Sequence, residues 1–374
     1  MYQKVKPYAA MVLQQLSFAG MSIVFLAVLK NGMSQTVLFA YRNIVAAIFI
    51  APFALYFERG RRPRMTRHIF MKITALGLLQ GVLDQNLLFM GAKLTSAGYA
   101  SALKNLIPPI TFVLSLALRV EKLNIYQRHG KAKVIGILLA LAGSLLMVLY
   151  KGPAAEFPRY KGREHHSAVN SNGNDKEGLN WIMGTLMIIT SSTSWCIFLI
   201  LQSNTLKSYE AKFSLTTLIC SMGAVMNTVL ALVLEHGSQS WIIKWDMRLF
   251  AIIYSGVVCT GVTNYLLELV LKDKGPVFAG AFTPLCMIVT AVLGSIILAE
   301  KIHLGMIIGA IIITAGLYSL LWGKSKDYTT QSEDDQSRDY FLNTDLSMAE
   351  HSITKQNSIP IDHDTTKEKS MTMP

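Results

Sequence analysis

The chain has 374 residues, of which 52% are hydrophobic and only 16% are charged, and its mean hydropathy is +0.38. A soluble domain carries roughly 25% charged residues, so this composition excludes a soluble globular protein. Lys and Arg outnumber Asp and Glu by 35 to 23, but the basic residues lie mostly in short loops between apolar runs. That distribution is typical of contact with a lipid bilayer and argues against nucleic acid as a partner.

Ten apolar windows follow one another along the chain, each of at least about 17 residues, which is enough for a membrane-spanning helix. They cover residues 8–29, 36–57, 69–90, 97–118, 134–150, 181–201, 213–234, 249–271, 277–299 and 304–322. Hydrocarbon offers no partner to backbone polar groups, so the sequence predicts an all-α membrane protein with ten transmembrane helices. The loops on the side of the N-terminus hold sixteen Lys and Arg residues against ten on the other side, which predicts that both termini are cytosolic.

The second half of the chain repeats the first at an offset of 179 residues. The matches include Gly77 with Gly256, Lys93 with Lys272, Leu106 with Leu285, and Glu121-Lys122 with Glu300-Lys301. Because five helices per copy is an odd number, the second copy enters the bilayer from the opposite side, which predicts two inverted five-helix repeats. The repeats are expected over 8–150 and 181–324, joined by an extracytosolic linker over 151–180 and followed by a disordered cytosolic tail over 325–374.

Charged side chains well inside the spans indicate a transport pathway, because each costs at least about 2.5–3.5 kcal/mol at the bilayer centre. Asp84 lies with Gln80, Gly81 and Gln85 at spacings that share one face of an α-helix, which predicts a polar stripe. This stripe either lines the pathway or reflects an ion pair between Asp84 and Lys104 that only locks two helices together. Both interpretations stay open.

Three further charges fall inside the spans. Arg42 either faces the pathway or snorkels outward to the interface. Lys72 and Glu268 lie within one turn of a predicted cytosolic end, where snorkelling explains them.

Prolines interrupt the fourth and ninth spans close to polar residues. Pro108 and Pro109 follow Lys104 and free backbone carbonyls for a ligand or a hinge, and Pro284 follows Thr283 in the same way. The duplicated positions of Gln85 and Lys104 are Asn264 and Thr283. The predicted pathway residues are Gln14, Gln15, Arg42, Gln80, Asp84, Gln85, Lys104, Asn105, Trp195, Asn264 and Thr283, with Gln202 as a further candidate and hinges at Pro108, Pro109 and Pro284.

These side chains suit a small charged solute. Lys104 or Arg42 can hold a carboxylate, and Asp84 can hold an ammonium group or a coupling proton. We therefore expect a carrier of a zwitterion such as an amino acid, or of an organic anion, that works by alternating access. No span carries an enzymatic acid–base pair or a metal-binding cluster, so we expect neither enzyme activity nor a metal or cofactor. A channel or a receptor is the alternative from a different class.

Short stretches along the chain carry a family resemblance. They are Tyr99-Ala-Ser-Ala-Leu-Lys-Asn-Leu-Ile-Pro108, Arg119-Val-Glu-Lys-Leu123, Leu149-Tyr-Lys-Gly152, Gly275-Pro-Val-Phe278, Pro284-Leu-Cys-Met287, Ala299-Glu-Lys301 and Gly316-Leu-Tyr to Trp322-Gly-Lys324. In this order they resemble the plant walls-are-thin-related proteins, nodulin-like members of the drug/metabolite transporter superfamily with two EamA-type repeats. The resemblance implies ten helices, a plasma-membrane or vacuolar location, and facilitated or proton-linked transport of amino acids, or of auxin or other metabolites in some relatives.

Overall fold

A computed structural model describes residues 2–30, 32–60, 62–95, 100, 103–118, 120, 127–150, 154–155, 175–235, 241, 245–298, 302–303, 305, 308–320 and 322–323. Over these residues the fold is helical except for one short antiparallel bridge between two-residue strands. The predicted tail and residues 156–174 of the predicted linker lie outside the described residues. The domain boundaries therefore stay predictions.

The helices follow the order of the predicted spans. In the first half they are α1 (Tyr2–Lys30), α2 (Gln35–Phe57), α3 (Arg67–Leu94), α4 (Ile107–Ala117) and α5 (Arg128–Leu149). In the second half they are α6 (Asp175–Ser208), α7 (Lys212–Leu234), α8 (Met247–Ala281), α9 (Thr283–Leu298) and α10 (Ile308–Leu320). The strands β1 (Ala154–Ala155) and β2 (Ile302–His303) form the bridge.

Seven of the described helices are long and apolar enough to cross a membrane, namely α1, α2, α3, α5, α6, α7 and α8. Large apolar side chains lie on the outside of the bundle, such as Ile48, Val225 and Ile311, each more than 60% exposed. An exposed apolar surface of this kind matches hydrocarbon, and the chain is a multi-pass membrane protein. The count of ten spanning helices stays a prediction, because α4, α9 and α10 have at most 16 described residues each.

Two helices contain a π-helical segment at matching places. The segment in α3 is Gly77–Asp84 and the segment in α8 is Tyr254–Val262. The offset of 179 carries 77–84 onto 256–263, so both copies wind their backbone in the wider i→i+5 pattern at nearly the same place. The backbone of this part of α3 therefore winds differently from the α-helix assumed for the stripe. Gln80, Gly81 and Asp84 are nevertheless all buried.

The glycines of this π segment allow a close approach to α7. A Cβ atom added to Gly77 would lie 2.8 Å from Cβ of Met222, and one added to Gly81 would lie 3.0 Å from Cα of Gly223. The first distance is shorter than real Cβ contacts, and the second leaves little room for a side chain. The close contact brings the polar side chains of α3 to the centre of the bundle.

The eighth and ninth predicted spans are separated by a break at Gly275, which lies between their predicted limits of 271 and 277. The element α8 consists of two helical parts that meet at Gly275, whose φ of +77° is a conformation that glycine adopts without strain. Phe282 then separates α8 from α9, which begins at Thr283 with Pro284 as its second residue. Pro108 and Pro109 likewise lie in the first turn of α4. The three prolines thus occupy first-turn positions, where the absence of an N–H group costs nothing.

The helices α2 and α7 have 23 residues each and run antiparallel. Just before α2, the Ser34 hydroxyl donates to Oε1 of Glu235 just after α7, at 2.5 Å. At the other end, the two carboxylate oxygens of Glu58 accept from the backbone N–H groups of Phe213 and Ser214, at 3.0 and 2.7 Å. A carboxylate at the first N–H groups of a helix is a favourable cap. Each member of this pair therefore ends beside the beginning of the other.

Glycines hold α5 against α10, also in an antiparallel arrangement. A Cβ atom added to Gly136 would lie 2.5 Å from the carbonyl oxygen of Gly316, and one added to Gly316 would lie 2.6 Å from that of Gly136. Seven residues along α5, Gly143 meets the carbonyl oxygen of Gly309 in the same way, at 2.9 Å. Close contact through small residues is the usual way in which helices associate in lipid.

We expect Gly136→Ala to destabilise the fold, because the added methyl group meets backbone atoms that cannot move independently of their helix. Overpacking of this kind costs about 1–3 kcal/mol. The measurement is the midpoint of thermal unfolding of the purified protein in detergent. Gly60→Ala is the control, since nothing lies within 4 Å of its added Cβ atom. Equal midpoints for the two variants would contradict the close contact of α5 and α10.

Candidate functional site

Asp84 is the centre of a buried polar network at the end of the π segment of α3. Its side chain is almost fully enclosed, and Oδ1 lies 2.5 Å from Nζ of Lys104 in an ion pair. The Ser191 hydroxyl of α6 lies 2.9 Å from the same oxygen, and Nε2 of Gln85 donates to Oδ2 at 2.9 Å. Both carboxylate oxygens therefore have donors, one of them a cation. A buried ion pair whose remaining lone pairs also accept hydrogen bonds is well accommodated in an apolar environment.

Arg42 extends the network from α2. Its side chain is buried, and Nη1 lies 3.5 Å from Oε1 of Gln85 and 3.8 Å from Sδ of Met21. The guanidinium also lies over the ring of Phe39, at 5.1 Å from the centroid. Arg42 does not reach the surface, so the snorkelling alternative is wrong.

The guanidinium of Arg42 is incompletely satisfied. Its Nε atom has no hydrogen-bond partner among the described residues, and none of their carboxylates forms an ion pair with it. A buried cation without an anion in direct contact is costly, and the carboxylate of Asp84 lies beyond Gln85. The guanidinium therefore has unused hydrogen-bonding capacity inside the bundle.

A second polar contact joins the two halves of the chain. Nε2 of Gln80 on α3 donates to Oδ1 of Asn264 on α8 at 2.9 Å, and both side chains are buried. Gln80 lies four residues before Asp84, so this contact is next to the charged network. The sequence placed both residues on the pathway, and their direct contact is a feature of the tertiary structure.

The other predicted residues lie elsewhere in the bundle. Asn105 donates to Sδ of Met287, and Trp195 packs against Phe198 with ring centroids 5.2 Å apart. Gln14 and Gln15 of α1 are buried, and Oε1 of Gln14 has no partner among the described residues. Thr283 begins α9 and is half-buried. None of these five residues has a described hydrogen bond to the Asp84 network.

The structure also identifies polar residues that the sequence analysis missed. Ser191 donates to Asp84, although in the sequence it is one of several hydroxyl residues in an apolar helix. Asn227 of α7 is fully buried, and its amide nitrogen donates to the carbonyl oxygen of Gly81 at 2.8 Å. A lone Asn in the middle of an apolar span was the available signal for this contact, because a buried amide needs partners.

The interpretation of Glu268 as a snorkelling residue was wrong. Its side chain is fully buried, and Oε1 accepts hydrogen bonds from Nε2 of Gln202 at 3.2 Å and from the Thr216 hydroxyl at 2.8 Å. A carboxyl group held inward by two neighbouring helices cannot extend to the interface. The error arose because distance from a helix end in the sequence does not tell which way a side chain points.

Comparisons with known proteins agree with the resemblance seen in the sequence. The sequence model of the EamA-like transporter family matches residues 6–149 and 182–322. The WAT1-related protein At1g44800 of Arabidopsis thaliana is 46% identical over 325 residues, covering 87% of each chain. The Arabidopsis WAT1-related protein At4g08300 is 45% identical over 331 residues, covering 88% of this chain and 89% of that one.

A solved crystal structure superposes on the fold with a TM-score of 0.61 at 16% sequence identity, covering 84% of this chain and 98% of that chain. At this identity the likeness shows the fold alone. The two matches to the family model and the high identity to the plant relatives show more, and the chain belongs to the EamA-like transporter family, within its WAT1-related group.

Proposed function

We propose that this transporter carries amino acids across the membrane by alternating access, with the Arg42–Gln85–Asp84 network as its substrate site. The observation that supports the proposal is that the side-chain amide of Gln85 bridges the positive charge of Arg42 and the negative charge of Asp84. Gln85 accepts from Arg42 and donates to Asp84, so a buried cation and a buried anion lie one side chain apart. A zwitterion presents the complementary charges at a similar spacing. Its carboxylate would bind Arg42 and its ammonium group would replace a donor on Asp84.

Lys104 is the counterion of Asp84 in the empty site. In the absence of substrate it neutralises Asp84, so that the site has no bare carboxylate in an apolar environment. Its side chain is 17% exposed, against 2% for Asp84, so the lysine is the partner with room to move. The sequence left two interpretations of Asp84 open, a helix-locking ion pair with Lys104 and a pathway residue. In this proposal both apply: the ion pair is intact in the empty site and is broken when substrate binds.

Inverted repeats would supply the two states of the carrier. We propose that the chain consists of two five-helix repeats related by an axis in the membrane plane. The antiparallel pairing of α2 with α7 and of α5 with α10 supports this arrangement, as do the matching π segments. Such a pair of units has two similar conformations, one open to each side. The Lys and Arg distribution favours cytosolic termini, and the family resemblance favours the plasma membrane, with the vacuolar membrane as the alternative.

An aromatic organic anion such as auxin is the second candidate substrate. The aromatic rings of Phe25, Phe39 and Phe89 lie close together beside Arg42, with the centroids of Phe39 and Phe89 5.5 Å apart. An aromatic carboxylate could place its ring against this cluster and its charge on Arg42. Such a substrate would not need Asp84.

Counterflow in liposomes tests the proposal. Purified protein is reconstituted with a high internal concentration of unlabelled L-glutamine or L-leucine, and uptake of the same labelled amino acid is measured. We expect uptake above that of liposomes without internal substrate, because an alternating carrier returns faster when loaded. A channel would give no such stimulation. Stimulation by indole-3-acetate and by neither amino acid would favour the second candidate.

A further inference from the structure

Glu268 on α8 forms a second buried acidic site, on the side of the bundle where Glu58 caps α7. The same oxygen, Oε1, accepts both of its described hydrogen bonds, from Gln202 on α6 and from Thr216 on α7. Oε2 has no hydrogen-bond partner among the described residues, although the side chain is fully buried. One oxygen is thus held in place by neutral donors and the other is left without any.

The surroundings of Glu268 do not supply a countercharge in contact. No Lys or Arg of the described residues forms an ion pair with it. The titratable and charged groups that act on it or on which it acts are Lys212 and Cys220 of α7, Glu58 at the end of α2, and Tyr265 on its own helix. Only Lys212 is cationic, and Glu58 opposes it. An ionised carboxylate without a direct partner costs several kcal/mol at this depth, whereas a neutral carboxyl group costs much less.

Asp84 and Glu268 differ in the donors that surround their carboxyl groups. The carboxylate of Asp84 has donors on both oxygens, including the ammonium group of Lys104, and is therefore matched as an anion. Glu268 has neutral donors on one oxygen only. A proton is the ligand that the second oxygen lacks.

A row of polar side chains connects the two acidic residues. Asp84 lies four residues after Gln80 on α3, Gln80 donates to Asn264 on α8, and Asn264 lies four residues before Glu268. Gln80 and Asp84 are both buried in the π segment of α3, and Asn264 and Glu268 are both buried one α-helical turn apart on α8. Movement at one end of this row can thus affect the other end through two helical turns and one hydrogen bond.

We infer that Glu268 is the proton-binding residue of this carrier, at a site separate from the substrate site at Asp84 and Arg42. The inference rests on the proposed transport function. In each cycle a proton from the solution on one side binds Oε2 of Glu268, crosses with the conformational change, and leaves to the solution on the other side. Substrate movement is thereby coupled to the proton gradient, and the substrate binds elsewhere in the bundle.

The test compares wild-type protein with Glu268→Gln in liposomes, using labelled L-glutamine and L-leucine. The glutamine side chain introduced at position 268 has the shape of a protonated glutamate but cannot release a proton. We expect wild-type protein to accumulate substrate when a pH gradient is imposed, and Glu268→Gln to lose this accumulation while it keeps substrate exchange at equal pH. Glu210→Gln is the matched control, because Glu210 is exposed and pairs only with the exposed Lys272 among the described residues, and we expect it to keep both activities.

Several results would overturn the inference and leave transport itself standing. One is accumulation by Glu268→Gln in response to the pH gradient, and another is wild-type counterflow without any response to that gradient. If Glu268→Gln loses both exchange and accumulation, the carboxyl group of Glu268 would be assigned to substrate binding instead. If wild-type protein shows no counterflow with either amino acid, the proposed function fails on its own.

A second measurement needs no variant and no substrate. Dicyclohexylcarbodiimide reacts with protonated carboxyl groups in apolar surroundings, and mass spectrometry of wild-type peptides locates the adduct. We expect labelling of Glu268 that decreases as the pH rises. Absence of labelling at Glu268 across the pH range would contradict the inference, whether or not Glu268→Gln folds.

Discussion

Asp84→Asn should abolish amino acid transport and lower the free energy of unfolding by about 3–5 kcal/mol, the usual result of removing one partner of a buried ion pair. The substitution leaves Lys104 with its charge at a buried site and removes the anion on which the substrate's ammonium group would bind. The measurements are counterflow in liposomes and thermal unfolding in detergent. Asp273→Asn is the matched control, since Asp273 is exposed just before the break at Gly275 and we expect no change in either measurement.

Adding Lys104→Met to Asp84→Asn separates structure from function. The double variant no longer contains a buried unpaired charge, so we expect it to unfold at a higher temperature than Asp84→Asn alone, with a positive coupling energy in the double-mutant cycle. Transport should stay absent, because the ammonium site is still missing. Wild-type transport in Asp84→Asn would remove Asp84 from the mechanism. Recovery of both stability and transport in the double variant would reduce the pair to a helix lock.

Arg42→Gln should raise the KM for amino acids about 10- to 100-fold, because a hydrogen bond to a charged group contributes about 1.5–3 kcal/mol and each 1.4 kcal/mol is a factor of ten. The fold should tolerate the change, since it removes a buried cation that has no anionic partner among the described residues. The KM is measured from the concentration dependence of exchange at equal pH. Arg59→Gln is the control, because Arg59 is exposed in the loop after α2 and we expect its KM to equal that of wild type.

The pattern of KM values also distinguishes the two candidate substrates. For an amino acid, Arg42→Gln and Asp84→Asn should both impair transport, since each holds one end of the zwitterion. For an aromatic anion, Arg42→Gln alone should impair transport, because the ring rests on the cluster of Phe39 and its neighbours. An unchanged KM in Arg42→Gln for every substrate transported would exclude Arg42 as the carboxylate site.

The sequence was sufficient for some parts of the site and misleading for others. Arg42, Asp84 and Lys104 stand out in apolar windows because charge is costly there, and the structure brings all three into one network through Gln85. The same rule also marked Glu268, but its place near a helix end led to the wrong interpretation. The direction of a side chain depends on the neighbouring helices, in this case α6 and α7, and not on its position along its own helix.

The backbone conformation of α3 and its packing partner could not be predicted from the sequence. The stripe on α3 was assigned with α-helical spacing, whereas the structure winds Gly77–Asp84 as a π-helix. The glycines that allow α3 to approach α7 so closely are visible in the sequence, but the partner that they meet, around Gly223, is not. Gln80, Gly81 and Asp84 are buried in spite of the different winding, because the close approach of α7 covers this side of α3.

The sequence by itself determined the class of protein and the positions of the apolar helices, and it predicted a duplication, because hydropathy, loop charge and internal repeats can be read along the chain. Only the tertiary structure decided which polar groups are satisfied. The partners of Asp84 and Glu268 include Ser191 and Gln202, which are 107 and 66 residues away along the chain. Contacts at such distances arise from helix packing, and the unpaired oxygen of Glu268 becomes apparent only once every neighbouring donor is in place.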